Sequence, residues 1–195
     1  MAAIAPQSVS TGEEAAGAQA SKVPAIQLDR LAECGRMAVK HGQIRYAEGA
    51  CSVVLRASQG SLRAQIWTEY TKAELLLRKP SADVDPKTGM KLNTLQRQVE
   101  DFERRIEALK LMDRAMIANK RLADADIIIE GCYLIWNMSL PLLKSSTRAH
   151  TYKPFQSAAQ ALESIQANDN QLRVNLHLEL AKYEIKQDFL SKAVQ

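Results

Sequence analysis

Hydrophobic residues recur every three or four positions along most of this chain, which is the period of an α-helix that buries one side. A first helix is predicted from about Pro24 to the turn His41–Gly42, with apolar positions at Ile26, Leu28, Leu31, Cys34, Gly35, Ala38 and Val39. A second helix follows, with one apolar face formed by Ile44, Ala47, Cys51, Val54 and Leu55. Two short helices joined by a tight turn predict an antiparallel helical hairpin.

The middle of the chain predicts two further helices separated by a break. The third helix runs from about Leu62 to Arg78, and its inward positions are Ile66, Trp67, Tyr70, Ala73, Leu76 and Leu77. Two prolines and a glycine within residues 79–89 end it. A long helix follows, with a seam of Leu92, Leu95, Val99, Phe102, Ile106 and Leu109. The seam is too short for an independent coiled coil, so it favours packing against neighbouring helices.

The stretch from Ile127 to Pro154 is the most informative of the chain. It predicts a helix that is apolar on every side and ends at Pro141, then a basic loop, then a new helix that begins near Pro154. A helix apolar all round must be covered by several neighbours, as happens inside a stack of helices. The turn at 168–170 then leads into a helix over Leu172–Lys186, and Asp188 is placed to cap a further one.

These elements predict an all-α fold of about seven helices, because no stretch alternates with the period of a β-strand. Gly35 and Ala47 lie twelve residues apart. The same distance separates Ala181, which directly follows Leu180, from Ala193. That is the spacing of the small residues in a tetratricopeptide hairpin, so we expect antiparallel hairpins in a right-handed, tetratricopeptide-like α-solenoid segment. The predicted domains are a disordered leader over residues 1–22 and a helical-repeat domain over 23–195, truncated at its C-terminus.

Composition narrows the class of protein only a little. The net charge of +4 comes from 26 basic and 22 acidic residues, which are mixed along the helices and so predict solvated faces rather than a nucleic-acid site. Cys34, Cys51 and Cys132 have no paired spacing and are expected to be buried thiols in a reducing compartment. Segment 127–143 is too short and too polar to predict a membrane span.

The sequence carries no recognisable catalytic motif. It contains no nucleophile elbow, phosphate-binding loop or dinucleotide fingerprint, and His41, His150 and His177 have no partner at metal-ligand spacing. We therefore expect a protein that is not an enzyme, with no catalytic residues, no cofactor, no metal, no small-molecule substrate, and neither a nucleic-acid nor a membrane partner.

Two segments are candidates for contact with a partner protein. Trp136 and Asn137 fit a peptide groove, but a structural core role is preferred for them, as it is for Gly35, Ala47, Pro141, Leu180 and Ala181. The basic loop contains Lys144, Arg148, His150 and Lys153 and no acidic residue. Two interpretations are open. The loop could contact an acidic surface such as the tails of tubulin, or it could be a solvated loop whose cations bind the carbonyl groups that end the preceding helix.

A family resemblance rests on the same region. Its residues are Trp136-Asn137, Leu140-Pro141-Leu142-Leu143, Arg148, His150, Lys153, Pro154, Leu172-Arg173, His177, Glu179 and Ala181. Over roughly residues 120–195 the chain resembles the cilia- and flagella-associated protein forty-six family, tetratricopeptide-repeat proteins of the axonemal central-pair apparatus. The resemblance is loose over 23–118 and does not cover the leader. Members of that family are much longer chains.

The resemblance implies a non-catalytic scaffold of the ciliary or flagellar axoneme, involved in cilium motility and central apparatus assembly. Its partners would be other central-pair proteins and, through the basic loop, the microtubule surface. The alternative is a soluble, cytoplasmic tetratricopeptide adaptor that binds a short peptide in co-chaperone or trafficking work. The apolar inward positions favour permanent packing and hence the scaffold.

Overall fold

The fold is an all-α stack of antiparallel helical hairpins, as the sequence predicts. A computed structural model describes residues 24–57, 60–79, 91 and 93–187, so the predicted leader, most of the break at 79–89, Asp188 and Ala193 lie outside the described residues. The described residues contain no β-strand, and their seven α-helices are α1 (Ala25–Lys40), α2 (Ile44–Arg56), α3 (Leu62–Arg78), α4 (Thr94–Leu122), α5 (Ala125–Ser139), α6 (Tyr152–Ser164) and α7 (Asn170–Lys186). Two 3-10 turns, Leu140–Leu142 and Arg148–His150, separate α5 from α6.

Four of the helices begin at a residue whose side chain accepts a hydrogen bond from a backbone N–H group of the first turn. These N-cap residues are Ser61, Asn93, Asp124 and Asp169. At α4 the bonding is reciprocal, because the Gln96 side chain also accepts a hydrogen bond from the backbone N–H of Asn93. Such caps satisfy donors that the helix itself leaves unpaired, so local sequence fixes where these helices start.

The first hairpin closes through small residues. Gly42 takes a φ of +73° in the turn between α1 and α2, a backbone conformation that glycine adopts without strain. Gly35 and Ala47 are both buried. A Cβ atom added at Gly35 would lie 3.0 Å from Cβ of Ala50 and 3.9 Å from the carbonyl oxygen of Ala47, so α1 and α2 cross in close contact there.

The stack is held by one main core that draws residues from all seven helices. Each helix packs against the next in the chain, α1 also packs on α3, and α4 also packs on α6. This pattern of neighbours in sequence, with alternate helices touching, is typical of an α-solenoid. Pro154 lies in the first turn of α6, where its missing N–H group costs no helical hydrogen bond.

The segment predicted to be buried on every side is instead partly exposed. α5 ends at Ser139, two residues before Pro141, and a 3-10 turn continues the chain. Tyr133 and Leu140 are 44% and 48% exposed. Because α5 packs chiefly between α4 and α6, its remaining side is only partly covered, by polar contacts such as the hydrogen bond that Tyr133 donates to Asp169.

α4 is buried only over its second half. Leu95 and Val99 of the predicted seam are 68% and 50% exposed, Phe102 and Ile106 are partly buried, and the buried run begins at Ala108. At 29 residues α4 is much longer than the 17-residue α3 on which it packs. The prediction that the whole seam packs on neighbours is therefore wrong for its first two described turns.

A buried hydrogen-bonded cluster fixes the contact between α3, α4 and α5. The fully buried Tyr70 hydroxyl accepts a hydrogen bond from Asn119 Nδ2 at 3.0 Å and donates one to the carbonyl oxygen of Ile127 at 3.2 Å. Gly131 lies directly against the tyrosine ring: an added Cβ would be 2.6 Å from Tyr70 Cζ, closer still to Oη, and 2.8 Å from Met116 Cε. The tyrosine therefore occupies the space that a side chain at position 131 would need.

Candidate interaction surfaces

The described residues offer three surfaces to a partner: a charged face shared by α1, α3 and α5, the basic loop between α5 and α6, and an apolar stripe on α7. The charged face is centred on Arg36, which is 4% exposed. Its guanidinium group forms ion pairs with Glu74 of α3 and, at 2.7 Å, with Glu130 of α5. One side chain of α1 thus connects three helices.

Further ion pairs extend the charged face on both sides of Arg36. Lys40 contacts Glu130 at 2.9 Å and Arg78 contacts Glu74 at 2.9 Å, so each carboxylate around Arg36 has a second cation. Arg63 at the start of α3 makes a similar arrangement, with Glu33 in the middle of α1 at 3.1 Å and Asp124 at the N-cap of α5 at 2.7 Å. The cations of this face are therefore already engaged by carboxylates of the chain.

The electrostatics of the cluster favour the charged state of Glu74. Burial by itself would raise the pKa of this carboxyl group, but the hydrogen bonds and positive charges of Arg36 and Arg78 outweigh burial and lower the pKa. Glu74 consequently remains ionised well into the acid range. A peptide carboxylate could bind this face only by displacing an intramolecular partner that is already paired.

The basic loop is attached to the rest of the fold by its own cations. Arg148 forms an ion pair with the buried Glu179 of α7 at 3.0 Å and donates a hydrogen bond to the carbonyl oxygen of Leu143 at 2.8 Å. Leu143 lies four residues beyond the end of α5, so this contact differs from the expected one with the carbonyl groups that end the helix. His150 is exposed and its ring packs edge-on against Phe102 of α4, with ring centroids 5.5 Å apart.

The other two predicted contact residues, Lys144 and Lys153, differ from Arg148 and His150. Lys144 and Lys153 are exposed. The structure therefore divides the predicted set, with Arg148 turned toward α7, His150 against α4, and the two lysines toward solvent. Lys186 of α7 adds another attachment, because its ammonium group donates a hydrogen bond to the carbonyl oxygen of Ser145 at 2.7 Å.

The Trp136–Asn137 pair does not form a groove. Trp136 is partly buried and stacks on the buried Phe155 of α6, with ring centroids 5.8 Å apart and planes at 29°. Asn137 and Pro141 were expected in the core, but both are exposed. Asn137 lies on the open side of α5, and Pro141 lies in the turn that follows. Of the expected core residues on α7, Leu180 is buried and Ala181 partly buried.

Trp136→Ala is expected to lower the free energy of unfolding by about 2 kcal/mol, less than a fully buried tryptophan would cost, because part of the ring is exposed. Thermal melts of the purified proteins measure the loss. Trp136→Phe, which keeps an aromatic ring on Phe155, is the matched control and is expected to recover about half of it. An alanine variant that melts with the wild type would show that the stacking does not support the fold.

The cysteines do not form a reactive site. Burial raises the pKa of Cys51 to about 11 and that of Cys132 to about 12, so both thiols stay protonated at neutral pH. Cys34 is exposed on α1, against the expectation of three buried thiols, because it faces away from α2 and α3. Within the described ranges no group of three or more His, Cys, Asp or Glu side chains could hold a metal ion, and no helix is long and apolar enough to cross a membrane.

The third surface is an apolar stripe along α7, formed by Val174, Leu178, Ala181 and Ile185. Val174, Leu178 and Ile185 are 60%, 50% and 54% exposed, while Leu172, Leu176 and Leu180 of the same helix are buried. Sequence reasoning identified Leu180 and Ala181 but missed this stripe. The charged face was also missed, because its partners are brought together from three separate helices.

The described residues thus define an all-α helical-hairpin stack whose candidate sites are contact surfaces. No family model matches the chain. Over 90 residues, 46% of this chain, it is 33% identical to cilia- and flagella-associated protein 46 of Chlamydomonas reinhardtii. The aligned segment covers 3% of that much longer relative. The match supports a distant and partial relation to a ciliary protein.

Proposed function

We propose that this chain is a non-catalytic scaffold segment of the ciliary or flagellar axoneme, of tetratricopeptide type, that takes part in assembly and motility of the central apparatus. The observation that carries the proposal is the 33% identity to a cilia- and flagella-associated protein, in a chain whose helices stack on one another. Its partners would be other central-pair proteins, with no cofactor, nucleic acid or membrane involved.

The charged face supports a scaffold over a peptide adaptor. A tetratricopeptide adaptor offers free cations to the carboxylates of a short peptide, whereas here Arg36 and Arg63 are already paired with carboxylates of the chain. Ion pairs between the alternate helices α1, α3 and α5 stabilise the stack itself. The polar contacts of this face therefore suit a structural element better than a binding groove.

Lys144 and Lys153 are the residues proposed to approach the acidic surface of a microtubule. Both are exposed: Lys144 lies in the loop that Arg148 and Lys186 hold against α7, and Lys153 lies in the first turn of α6, so each ammonium group projects from a fixed segment. Their contribution is electrostatic and should weaken as salt is added, because exposed charges are screened at high ionic strength.

The function is tested by expressing the tagged chain in Chlamydomonas reinhardtii and extracting the flagella with detergent. We expect the tag to stay with the axoneme of wild-type cells and to leave it in cells that lack the central pair. Release into the detergent-soluble fraction of both strains would support the adaptor instead. Retention in both strains would place the chain elsewhere in the axoneme.

A second arm of the same experiment uses the double variant Lys144→Glu/Lys153→Glu. Charge reversal at both lysines is expected to reduce axonemal retention at low salt while leaving the thermal melt unchanged, since neither side chain is buried. Retention equal to that of the wild type would remove the loop from the proposed contact and leave the scaffold assignment standing.

A further inference from the structure

A fourth surface is the outer side of the first hairpin, which faces away from α3. On α1, Ile26, Arg30 and Met37 follow one another by four and seven residues, so they share the side opposite to the buried Leu28 and Val39. Ile26 and Met37 are 64% and 50% exposed. Since α3 is the chief neighbour of this hairpin among the described helices, the opposite side of α1 is open.

α2 extends the outer side with a second apolar stripe. Tyr46, Gly49 and Val53 follow at intervals of three and four residues, opposite to Cys51, whose thiol donates a hydrogen bond to α3. Tyr46 and Val53 are 75% and 43% exposed. Gly49 lies between them, and no atom lies within 4 Å of an added Cβ. A glycine within a helix costs stability and no contact in the described fold requires it, so the position leaves room for another helix close to α2.

The charges of the first hairpin are divided between its two sides. Its three acidic residues, Asp29, Glu33 and Glu48, each contact a side chain of α3 or of the residues that cap α3. Arg36 and Lys40 pair with carboxylates of α3 and α5. The side that faces the stack is therefore neutralised by contacts within the chain.

The other three arginines of the hairpin border the apolar stripes of the outer side. Arg30 lies between the exposed apolar residues of α1, Arg45 directly precedes Tyr46, and Arg56 follows Val53 by three residues. All three arginines are exposed, and within the described ranges none of their side chains has an ion pair or a hydrogen bond. The outer side thus combines exposed apolar groups with positive charges that no carboxylate of the hairpin engages.

We propose that the outer side of the first hairpin binds an amphipathic helix of another protein, one whose apolar stripe is bordered by aspartate or glutamate. A guanidinium group pairs with a carboxylate through two parallel hydrogen bonds, so acidic side chains are the complement of these arginines. Arg45 and Arg56 are eleven residues apart, about 16 Å along a helix, so the partner helix needs about three turns with a carboxylate near each end. The contact involves no residue of the basic loop and does not depend on a ciliary role.

A second copy of this chain is a poorer occupant than an acidic helix. The exposed apolar stripe of α7 is the surface that another copy could offer, but the carboxylates of α7 are already engaged. Glu179 is buried against Arg148, and Glu184 accepts a hydrogen bond from Tyr152. The exposed Lys182 would then lie close to the arginines of the outer side. Like charges would therefore oppose stacking of one copy on another.

Two labelled helical peptides of about 18 residues test the contact by fluorescence anisotropy with the full 195-residue chain at low salt. Both carry the same leucine stripe, which is bordered by glutamates in one peptide and by lysines in the other. We expect the glutamate peptide to bind the wild type, and Arg45→Glu/Arg56→Glu to weaken this binding by about tenfold or more. The lysine peptide is expected to show the reverse preference and to bind the variant more tightly than the wild type.

Lys110→Glu/Arg121→Glu on α4 is the matched control. Both residues are exposed and eleven residues apart, and the two double variants lower the net charge by the same amount. The control is expected to bind the glutamate peptide within about twofold of the affinity of Arg45 and Arg56 with their charges matched to those of the wild-type hairpin at equal ionic strength. Equal weakening in both double variants would overturn the proposal, because the peptide would then respond to net charge alone. No binding of the glutamate peptide to the wild type would also overturn it.

Further variants identify the position of the peptide and exclude other occupants. Gly49→Gln fills the gap between Tyr46 and Val53 with a better helix former, so we expect an affinity about fivefold lower without a lower melting temperature. Unchanged affinity would overturn the close packing on α2. Tighter binding by Glu13→Gln/Glu14→Gln would show that the leader occupies the surface. A wild-type dimer that Arg45→Glu/Arg56→Glu dissociates in sedimentation would show a second copy there. Either result would overturn the proposal.

Discussion

Replacing Gly131 by alanine is expected to lower the free energy of unfolding by about 3 kcal/mol, and the melting temperature by about 6–12 °C. The added methyl group would enter the space of the Tyr70 ring, where it would lie 2.6 Å from Cζ. Tyr70 has little freedom to retreat, because it is fully buried and its hydroxyl is held by Asn119 and Ile127. Either α5 moves away from α3 or two buried hydrogen bonds break. Chemical and thermal unfolding measure the loss.

Gly49→Ala is the matched control. Gly49 also lies within a helix, but no atom lies within 4 Å of an added Cβ. There the substitution is expected to stabilise the chain by about 0.5–1 kcal/mol, because alanine loses less conformational freedom than glycine when a helix forms. If the two variants unfolded alike, the close approach of Tyr70 to Gly131 would not be a constraint on the fold.

Replacing Arg36 by methionine is expected to lower the free energy of unfolding at neutral pH by about 3 kcal/mol. Arg36 is the buried partner of both Glu74 and Glu130, so its removal leaves each partly buried carboxylate with one far more exposed cation, Arg78 or Lys40. Methionine keeps much of the packing volume of the arginine stem, so most of the loss is electrostatic. Arg114→Met is the control, since Arg114 is 71% exposed and lies 3.9 Å from Glu69; its expected cost is below about 0.5 kcal/mol.

The same variant should change how stability depends on pH. The pKa of Glu74 is lower in the folded chain than its ordinary value, so ionised Glu74 stabilises the fold above that ordinary value and loses this effect as the pH falls through the folded pKa. Urea unfolding between pH 6 and pH 3 is expected to show a steeper acid loss for the wild type than for Arg36→Met. Parallel curves would contradict the assigned role of Arg36 in lowering that pKa.

The helices themselves could be predicted because their signals are local. The periodicity from Ile26 to Val39, the turn at Gly42 and the apolar positions of α3 place the first three helices within a few residues of their observed bounds. Pro141 indicated the end of α5, although the helix stops two residues earlier. In each case, a residue and its near neighbours in sequence contain the information.

Burial on particular sides could not be predicted from the same pattern. An apolar side chain such as Leu95 or Tyr133 shows that a surface is suited to packing, but not that a neighbour reaches it. Contacts between distant segments were missed for the same reason. Gly131 lies opposite Tyr70 because α3, α4 and α5 meet there, and no short stretch of sequence indicates a distance that three helices set together.

The placement of Arg36 also has a mechanical consequence. A stack of hairpins flexes by tilting one helix pair against the next, and Arg36 connects alternate helices on a single side of that stack. Flexing that spreads this side must pull the guanidinium group away from a carboxylate, whereas flexing in the opposite sense leaves the ion pairs closed. The segment should therefore behave as a spring that is stiffer in one direction than in the other.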